Sequence, residues 1–302
     1  MRPWIKRIAY GGGFVVVLVV VMVGVLYAVS ESRFRRTYTV AAENIASSDD
    51  SATIARGSHL VSSIGCIQCH GDGMRGGAVI DKPPMGRIIA PNLTSGQGGL
   101  GPQLTPTVIE HAVRHGVGPD GHALRIMPSD DYQTMSDADM HAVVSYIKHL
   151  PPVDNALGPS RVMLLPRALL VAGVMPLLPA EHLDPARTPS TVTPGATKEY
   201  GYYLASLAGC TNCHGPGLSG GKVRAGDPSW PPAANLTRLG NLGRWSEAQF
   251  VNTLRTGIRP DGSPLNAPMS QAPRIFGGMT NDELHAIWLY LQSVPPRAYG
   301  NH

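Results

Sequence analysis

Two short segments carry the most specific chemical signal in this chain: Cys66-Ile67-Gln68-Cys69-His70 and Cys210-Thr211-Asn212-Cys213-His214. Each has the spacing C-x-x-C-H, the attachment motif of c-type haem. Two cysteines at this spacing can each form a thioether with one vinyl group of a haem, and the adjacent histidine then binds the iron as proximal ligand. The sequence therefore predicts two covalently bound haem c groups, one on each segment.

A zinc site or a redox dithiol is the alternative for these cysteines, because both also use C-x-x-C pairs. A structural zinc site needs four ligands, whereas the two pairs lie far apart in the sequence. Both pairs also carry the adjacent histidine, and the chain has 4 cysteines in all, which leaves none for a disulfide. These features favour haem.

The two halves of the chain repeat each other around the motifs. Gly65-Cys66 matches Gly209-Cys210 at an offset of 144 residues, and Asn92-Leu93-Thr94 matches Asn235-Leu236-Thr237 at 143. Pro119-Asp-Gly matches Pro260-Asp-Gly at 141. A nearly constant offset over the whole segment indicates two duplicated domains.

An apolar segment precedes both domains. Residues 8–29 are free of charge, and a helix of about 20 residues crosses the hydrocarbon core of a bilayer. A cleaved signal peptide is the alternative, but this apolar run is longer than the usual hydrophobic region of such a peptide. We expect residues 1–36 to form an uncleaved, single-pass membrane anchor.

The remaining chain divides into four predicted parts. Residues 37–51 form a polar tether, 52–153 the first haem domain, 154–194 a linker, and 195–302 the second haem domain. The apolar stretch of the linker is too short for a second membrane span and is interrupted by Pro166, Arg167 and Pro176. We expect the linker to pack along the domains with one or two helical turns.

Each half ends with a strong helix signal. Ser136 and Thr280 each precede a helical apolar pattern and have an acidic residue three positions later, as N-caps do. A pair of prolines ends each pattern. We predict an all-α fold with two tandem domains like class I cytochrome c behind one N-terminal transmembrane helix, and with few or no strands.

The sixth iron ligand decides between electron transfer and small-molecule chemistry, since methionine raises the potential and a vacant position admits a substrate. Met127 lies 57 residues after His70, and Met269 lies 55 residues after His214. Both are in proline-containing loops ahead of the closing helix, where a thioether can be held rigidly. We predict that they are the sixth ligands.

Other residues compete for this role. His122 is the main rival in the first half, but its counterpart in the second half is Ser263. Met135 and Met279 match between the halves and directly precede the helix caps, the place of a hydrophobic staple. We therefore expect both methionines to be structural.

Two further repeated features have open interpretations. Asn92-Leu-Thr and Asn235-Leu-Thr match a glycosylation acceptor, although their recurrence favours a structural loop near the haem. Arg114 and Arg255 could each pair with a haem propionate or be solvated helix residues. The formal charge of +4 comes without a basic run interleaved with aromatics, so we expect no nucleic-acid partner.

The ordered pattern resembles a known family. It comprises G-C-x-x-C-H-G, N-L-T, R-x-G with a following D-G, a methionine loop and a capped helix ending in L-P-P or V-P-P, and it covers both halves. It is similar to the membrane-associated multihaem cytochrome c subunits of bacterial alcohol and gluconate dehydrogenases. Those subunits usually have three haem sites, whereas this chain has two motifs. One N-terminal helix before two haem domains is also similar to the dihaem subunit of cbb-type oxidases.

The resemblance implies an electron-transfer subunit rather than an enzyme. The expected donor is a dehydrogenase or a quinol-oxidising complex, and the expected acceptor is a terminal oxidase or a soluble cytochrome. Bacteria attach haem to C-x-x-C-H outside the cytoplasmic membrane, so we expect the haem domains on its periplasmic side.

Two other functions stay open at this point. A dihaem peroxidase-like enzyme would need one open iron with a polar neighbour such as His115 or His122. A haem-bearing subunit could also serve only to dock a larger respiratory assembly.

Overall fold

The computed structural model describes residues 3–41, 43–184, 186–223 and 226–301, and most of its regular structure is helical. The anchor and the first domain contain α1 (Pro3–Phe34), α2 (Ser51–Ser63), α3 (Cys66–His70), α4 (Pro106–His115), α5 (Ser129–Tyr132) and α6 (Asp137–Lys148). The linker contains α7 (Leu164–Val171). The second domain contains α8 (Lys198–Leu207), α9 (Cys210–His214), α10 (Glu247–Thr256), α11 (Ala272–Phe276) and α12 (Asn281–Ser293).

The first and last helices of each domain cross in close contact. A Cβ atom added at Gly57 of α2 would lie 2.0 Å from the carbonyl oxygen of Ala142 in α6. At Gly201 of α8 it would lie 1.9 Å from the carbonyl oxygen of Ala286 in α12. Both contacts recur at the 144-residue offset, so the same glycine-dependent crossing frames each domain.

The predicted caps form at the closing helices. The Ser136 hydroxyl accepts a hydrogen bond from the backbone N–H of Asp139. Thr280 and Glu283 form a full capping box, in which the side chain of each residue accepts from the other's backbone N–H. The helix predictions over both segments are confirmed.

One small antiparallel sheet accompanies the helices. It is formed by β1 (Gly77–Lys82), β2 (Gly86–Ala90) and β3 (Arg161–Val162), in that order. The first two strands make a hairpin directly after the first haem motif, and the third comes from the linker. This agrees with the expectation of few strands, although a linker strand was not predicted.

The N-terminal helix α1 is longer than the predicted span of 8–29. The segment Tyr10–Phe34 has the length and the mean hydropathy, 2.7, of a membrane span. The helix continues to Phe34 because its last turn packs against the linker, where Arg33 forms an ion pair with Glu181 and Phe34 is buried. The linker helix α7 packs against α1, and the buried Leu177 and Leu178 pack in one cluster with Ile88 and Ala123 of the first domain.

The segment predicted as a tether lies against the first domain. The Tyr38 N–H donates to the carbonyl of Gly121 at 2.9 Å. Further along, the Ser48 N–H donates to the Ser145 hydroxyl at 2.9 Å. This segment therefore packs against the first domain through an isolated antiparallel bridge between Thr37 and His122 and through these hydrogen bonds.

Repeat-equivalent residues meet where the two domains pack together. Arg56 donates to the hydroxyl of Tyr200, its counterpart 144 residues later, at 2.8 Å. His59 Nε2 lies 2.7 Å from the carboxylate of Glu283. In the repeat-equivalent pair, Tyr203 comes from the second domain and Asp139 from the first, and Tyr203 Oη lies 2.8 Å from the Asp139 carboxylate. Because each side supplies the same positions, the domains are related by a local pseudo-twofold arrangement, and one hydrophobic cluster spans both.

Candidate haem sites

The first C-x-x-C-H segment faces an apolar cavity in the first domain. Cys66, Cys69 and His70 line one part of its wall, and Met127 and Leu93 lie among the other lining residues. The segment forms the short helix α3 behind Gly65, whose φ of 94° is in the left-handed region that glycine tolerates. Both thiols and the imidazole are thereby directed to one apolar space.

A backbone carbonyl orients the histidine of each motif. His70 Nδ1 lies 3.1 Å from the carbonyl oxygen of Pro91, and His214 Nδ1 lies 2.7 Å from that of Ala234. An Nδ1–H that donates to a carbonyl leaves the Nε2 lone pair for a metal. Burial lowers the pKa of both histidines, although these hydrogen bonds act in the opposite direction. The neutral imidazole that binds iron is therefore the favoured form.

The environment of the cysteines argues against a redox dithiol site, and the described cysteines belong to no group of three or more converging metal ligands. Burial raises the pKa of Cys66 to about 12, and it raises the pKa of Cys210 to about 12. Reactive redox cysteines need a lowered thiol pKa, which electropositive surroundings provide. Buried neutral thiols beside an oriented histidine fit thioether attachment of haem instead.

Hydrogen bonds made by residues before and after Met127 in the sequence hold it in the cavity wall. The N–H of Ile126, whose φ is 54°, donates to the carbonyl of the linker residue Leu177 at 2.9 Å. The Ser129 hydroxyl donates to the carbonyl of Ala112 at 3.0 Å. The linker therefore positions the methionine loop, a contribution that sequence reasoning missed because the contact joins residues about 50 positions apart.

Other methionines lie close to these sites. Met74 and Met135 also line the first cavity. Met135 and Met140 are both buried. Met135 directly precedes the N-cap and Met140 is the fourth residue of the helix, the two positions that pack together in a hydrophobic staple. In the second domain Met269 is partly buried against the core, and Met279 is buried before α12.

The two histidines considered for a peroxidase site lie elsewhere. The lining of the first cavity, as far as the described residues go, includes neither His115 nor His122. His115 Nε2 lies 3.1 Å from the carboxylate of the buried Glu110. His122 Nδ1 lies 3.1 Å from the carboxylate of Asp120.

The repeated asparagines have a structural role. The Asn92 side chain donates to the carbonyl of Val153 at 2.7 Å and accepts from the Thr94 N–H at 2.9 Å. Asn235 does the same with Arg297 and Thr237. Both asparagines are buried, so they fasten the loop beside each haem motif to the end of the domain and are inaccessible to glycosylation.

The repeated arginines differ from each other. Arg114 is buried and binds the carboxylates of Glu43 and Asp137 and the carbonyl of Met135. Arg255 is exposed and binds the carbonyl of Met279 and the Asn281 side chain. Both terminal nitrogens of Arg114 thus bind protein groups, and its Nε has no partner among the described residues, so Arg114 is not a solvated helix arginine.

A direct contact joins the segment that follows Met127 to the second haem motif. The short helix α5, which follows the Met127 loop, reaches the second haem motif, where the Asn212 amide donates to the Asp131 carboxylate at 2.7 Å. Burial and the neighbouring Asp130 charge raise the pKa of Asp131 to about 7, against the lowering effect of the Asn212 hydrogen bond. Sequence patterns gave no signal for this contact because it depends on domain packing.

Two family models match the chain. The model described as cytochrome c oxidase, cbb3-type, subunit III matches residues 52–147, and the model described as cytochrome c matches residues 199–295. The structure and these matches together define a protein with two cytochrome c domains, which covalently bind two haem c groups.

The chain is also similar to particular cytochrome subunits. It is 30% identical over 283 residues to the cytochrome c subunit of quinone alcohol dehydrogenase from Gluconacetobacter polyoxogenes, covering 82% of this chain and 57% of the relative. It is 29% identical over 265 residues to the fructose dehydrogenase cytochrome subunit of Gluconobacter japonicus, covering 82% and 53%. It is 26% identical over 270 residues to a dihaem c-type cytochrome of Cereibacter sphaeroides, covering 80% and 86%.

These homologues are cytochrome subunits of dehydrogenases and a dihaem cytochrome. The chain spans about half the length of the dehydrogenase subunits that it matches. These homologues are cytochrome subunits rather than catalytic subunits.

Proposed function

We propose that the chain is a membrane-anchored dihaem cytochrome c that accepts electrons from a dehydrogenase and passes them to a downstream respiratory acceptor. When bound, haem supplies the one-electron chemistry, and the protein supplies attachment, orientation and electrostatics. The contact between Asp131 and Asn212 is the observation that carries this proposal, because it joins the two haem-binding regions within one packed unit.

Each haem has a proposed set of ligands. Cys66 and Cys69 attach the first haem and Cys210 and Cys213 the second, with His70 and His214 as proximal ligands. Met127 and Met269 are the proposed sixth ligands, and methionine at this position suits an electron carrier because it raises the reduction potential. The rigid support of the Met127 loop by Leu177 and Ala112 favours this role over a mobile surface methionine.

The proposed partners follow from the relatives. The subunits named above belong to alcohol and fructose dehydrogenases, so a dehydrogenase is the proposed donor. A terminal oxidase or a soluble cytochrome is the proposed acceptor. The helix over Tyr10–Phe34 fits a membrane anchor, and we place it in the bacterial cytoplasmic membrane with the haem domains in the periplasm.

A reductive titration of the full-length protein in nanodiscs tests the proposed function. We expect two electrons per chain, rapid reoxidation by a soluble one-electron acceptor, and no turnover of hydrogen peroxide. Sustained peroxide turnover, with one haem that does not exchange electrons with the acceptor, would overturn it in favour of a peroxidase.

A further inference from the structure

The linker helix α7 presents an apolar face to the outside of the molecule. Leu164 and Leu165 are each 42% exposed and Val171 is 38% exposed. At 100° per residue these positions and Ala168 and Ala172 share one arc of the helix. The opposite side carries Pro166 and Leu170, which are buried against the protein.

This arrangement is the reverse of that in a helix facing water, where the exposed side is polar. The exposed apolar surface continues beyond α7 to Val174, which is 63% exposed. Between Val162 and Leu178 the sequence has one charged residue, Arg167. Its guanidinium is turned toward α1, where it binds Glu31 and the hydroxyl of Ser30.

The position of α7 along α1 identifies what covers this face. A helix rises 1.5 Å per residue, so about 20 residues from Tyr10 carry α1 across a hydrocarbon core of about 30 Å and place Ser30 at the boundary with water. The Arg167 guanidinium lies 4.4 Å from the ring of Tyr27 and 2.9 Å from the Ser30 hydroxyl. The linker helix therefore packs on α1 at the depth where that helix leaves the bilayer.

Charge around this position is also complementary to a membrane surface. Arg35 and Arg36 follow the anchor directly and are exposed, and Arg161 precedes α7 and is exposed. Basic residues next to a membrane span are attracted to anionic headgroups. A bilayer accounts for both the apolar face and the adjoining basic residues.

We propose that α7 and the turn up to Val174 insert their apolar face into the interfacial region of the bilayer and form a second membrane contact beside the transmembrane helix. The proposal rests on the membrane anchor of the proposed function. Because Leu177 binds the Met127 loop, this contact fixes the orientation of the first haem domain relative to the membrane.

Photolabelling of the full-length holoprotein from within the lipid tests the proposal. The protein is reconstituted in phosphatidylcholine–phosphatidylglycerol vesicles containing a phospholipid with a diazirine on its acyl chain, and adducts are mapped by peptide mass spectrometry. We expect adducts in α1 and in residues 163–175, and none at Leu239, which is equally apolar and 63% exposed in the second domain.

A double variant sharpens the test. Leu165→Glu with Val171→Glu changes only exposed side chains, so the fold and haem content should persist while lipid adducts in residues 163–175 are lost and those in α1 remain. The matched control, Leu239→Glu, should leave both sets of adducts unchanged.

Adducts in α1 alone in the unaltered protein would overturn the interfacial contact but not the membrane anchor. The absence of adducts in α1 as well would overturn the anchor itself.

Discussion

At the scale of single residues, Arg114 and Arg255 show how one repeat position acquires two environments. Arg114 is 1% exposed and is surrounded by Glu43, Asp137 and the carbonyl of Met135. Glu43 comes from the extended segment after the anchor, which covers the first domain. Arg255 is exposed, and no such segment covers it in the described part of the chain.

Replacing Arg114 by methionine should lower the free energy of unfolding by about 3–5 kcal/mol, because the buried Glu110 carboxylate, 4.0 Å from the guanidinium, loses its neighbouring positive charge and the Met135 carbonyl loses its donor. Arg255→Met should change it by less than about 0.5 kcal/mol, as exposed substitutions do. Urea unfolding followed by haem absorbance measures both. Equal effects at the two positions would contradict the environments described above.

The residues of the haem motifs could be recognised from sequence because spacing alone encodes the chemistry. The carbonyl groups that orient the histidines could not. Pro91 and Ala234 contribute through the backbone, which has no residue-specific signature, and each lies about 20 positions from its histidine. The environment of Arg114 could not be predicted either, since its ion-pair partner Glu43 lies 71 residues away in the sequence.

At the scale of elements, the crossing of the first and last helix in each domain depends on a glycine. Substituting Gly57 by alanine places a methyl group against the backbone of α6, and backbone cannot move aside as a flexible side chain can. We expect a loss of about 1–3 kcal/mol in unfolding free energy, typical of overpacking. Gly195→Ala is the control because its added Cβ meets no atom within 4 Å. An unchanged stability in the Gly57 variant would mean that the helices can separate without cost.

Helix boundaries were predictable where caps and apolar periodicity agree, as in α6 and α12. The sequence predicts α7 only in part, because Pro166 favours an interruption of the helix. Proline is tolerated in the first turn of a helix, where the N–H groups lack intrahelical partners, and Pro166 is the third residue of α7. The short pairing of β3 with β2 depends on a contact between distant segments, which local sequence does not encode.

At the scale of the whole molecule, the two domains are joined by buried polar groups at their pseudo-twofold interface. Glu283 is 4% exposed and interacts with His59 and Arg56 across it. Burial by itself would raise the pKa of Glu283. The hydrogen bonds from His59 and the Thr280 N–H, with the Arg56 charge, outweigh it and lower the pKa from 4.5 to about 2.

Stability should therefore depend on pH through this carboxylate. Its contribution is fully present above pH 4.5 and is lost as pH falls toward about 2, because the unfolded chain binds the proton first. Glu283→Gln should be less stable than the unaltered protein at pH 7, and the difference should shrink between pH 4.5 and 3. Unfolding by urea at several pH values measures this difference. Glu199→Gln, at an exposed position, should show no such convergence, and a constant difference for Glu283→Gln would contradict the ionic role.

Duplication was visible in the sequence as a repeat offset, but the packing of the two copies was not. The interface unites His59 with Glu283 and Tyr203 with Asp139, and side chains of these types are ordinary surface residues in an isolated helix. Their pairing follows from how two domain surfaces fit, which periodicity within either domain cannot show.

Histidine–methionine ligation of both haems is tested most directly by an optical and potentiometric titration of four variants. Met127→Ala and Met269→Ala should each remove about half of the absorption band of methionine-ligated haem and lower the reduction potential of one haem, since methionine ligation raises it. Met135→Leu and Met279→Leu should leave both haems unchanged. A haem that keeps its band without the proposed methionine, or loses it in a leucine variant, would show that the proposed methionine is not the sixth ligand of that haem.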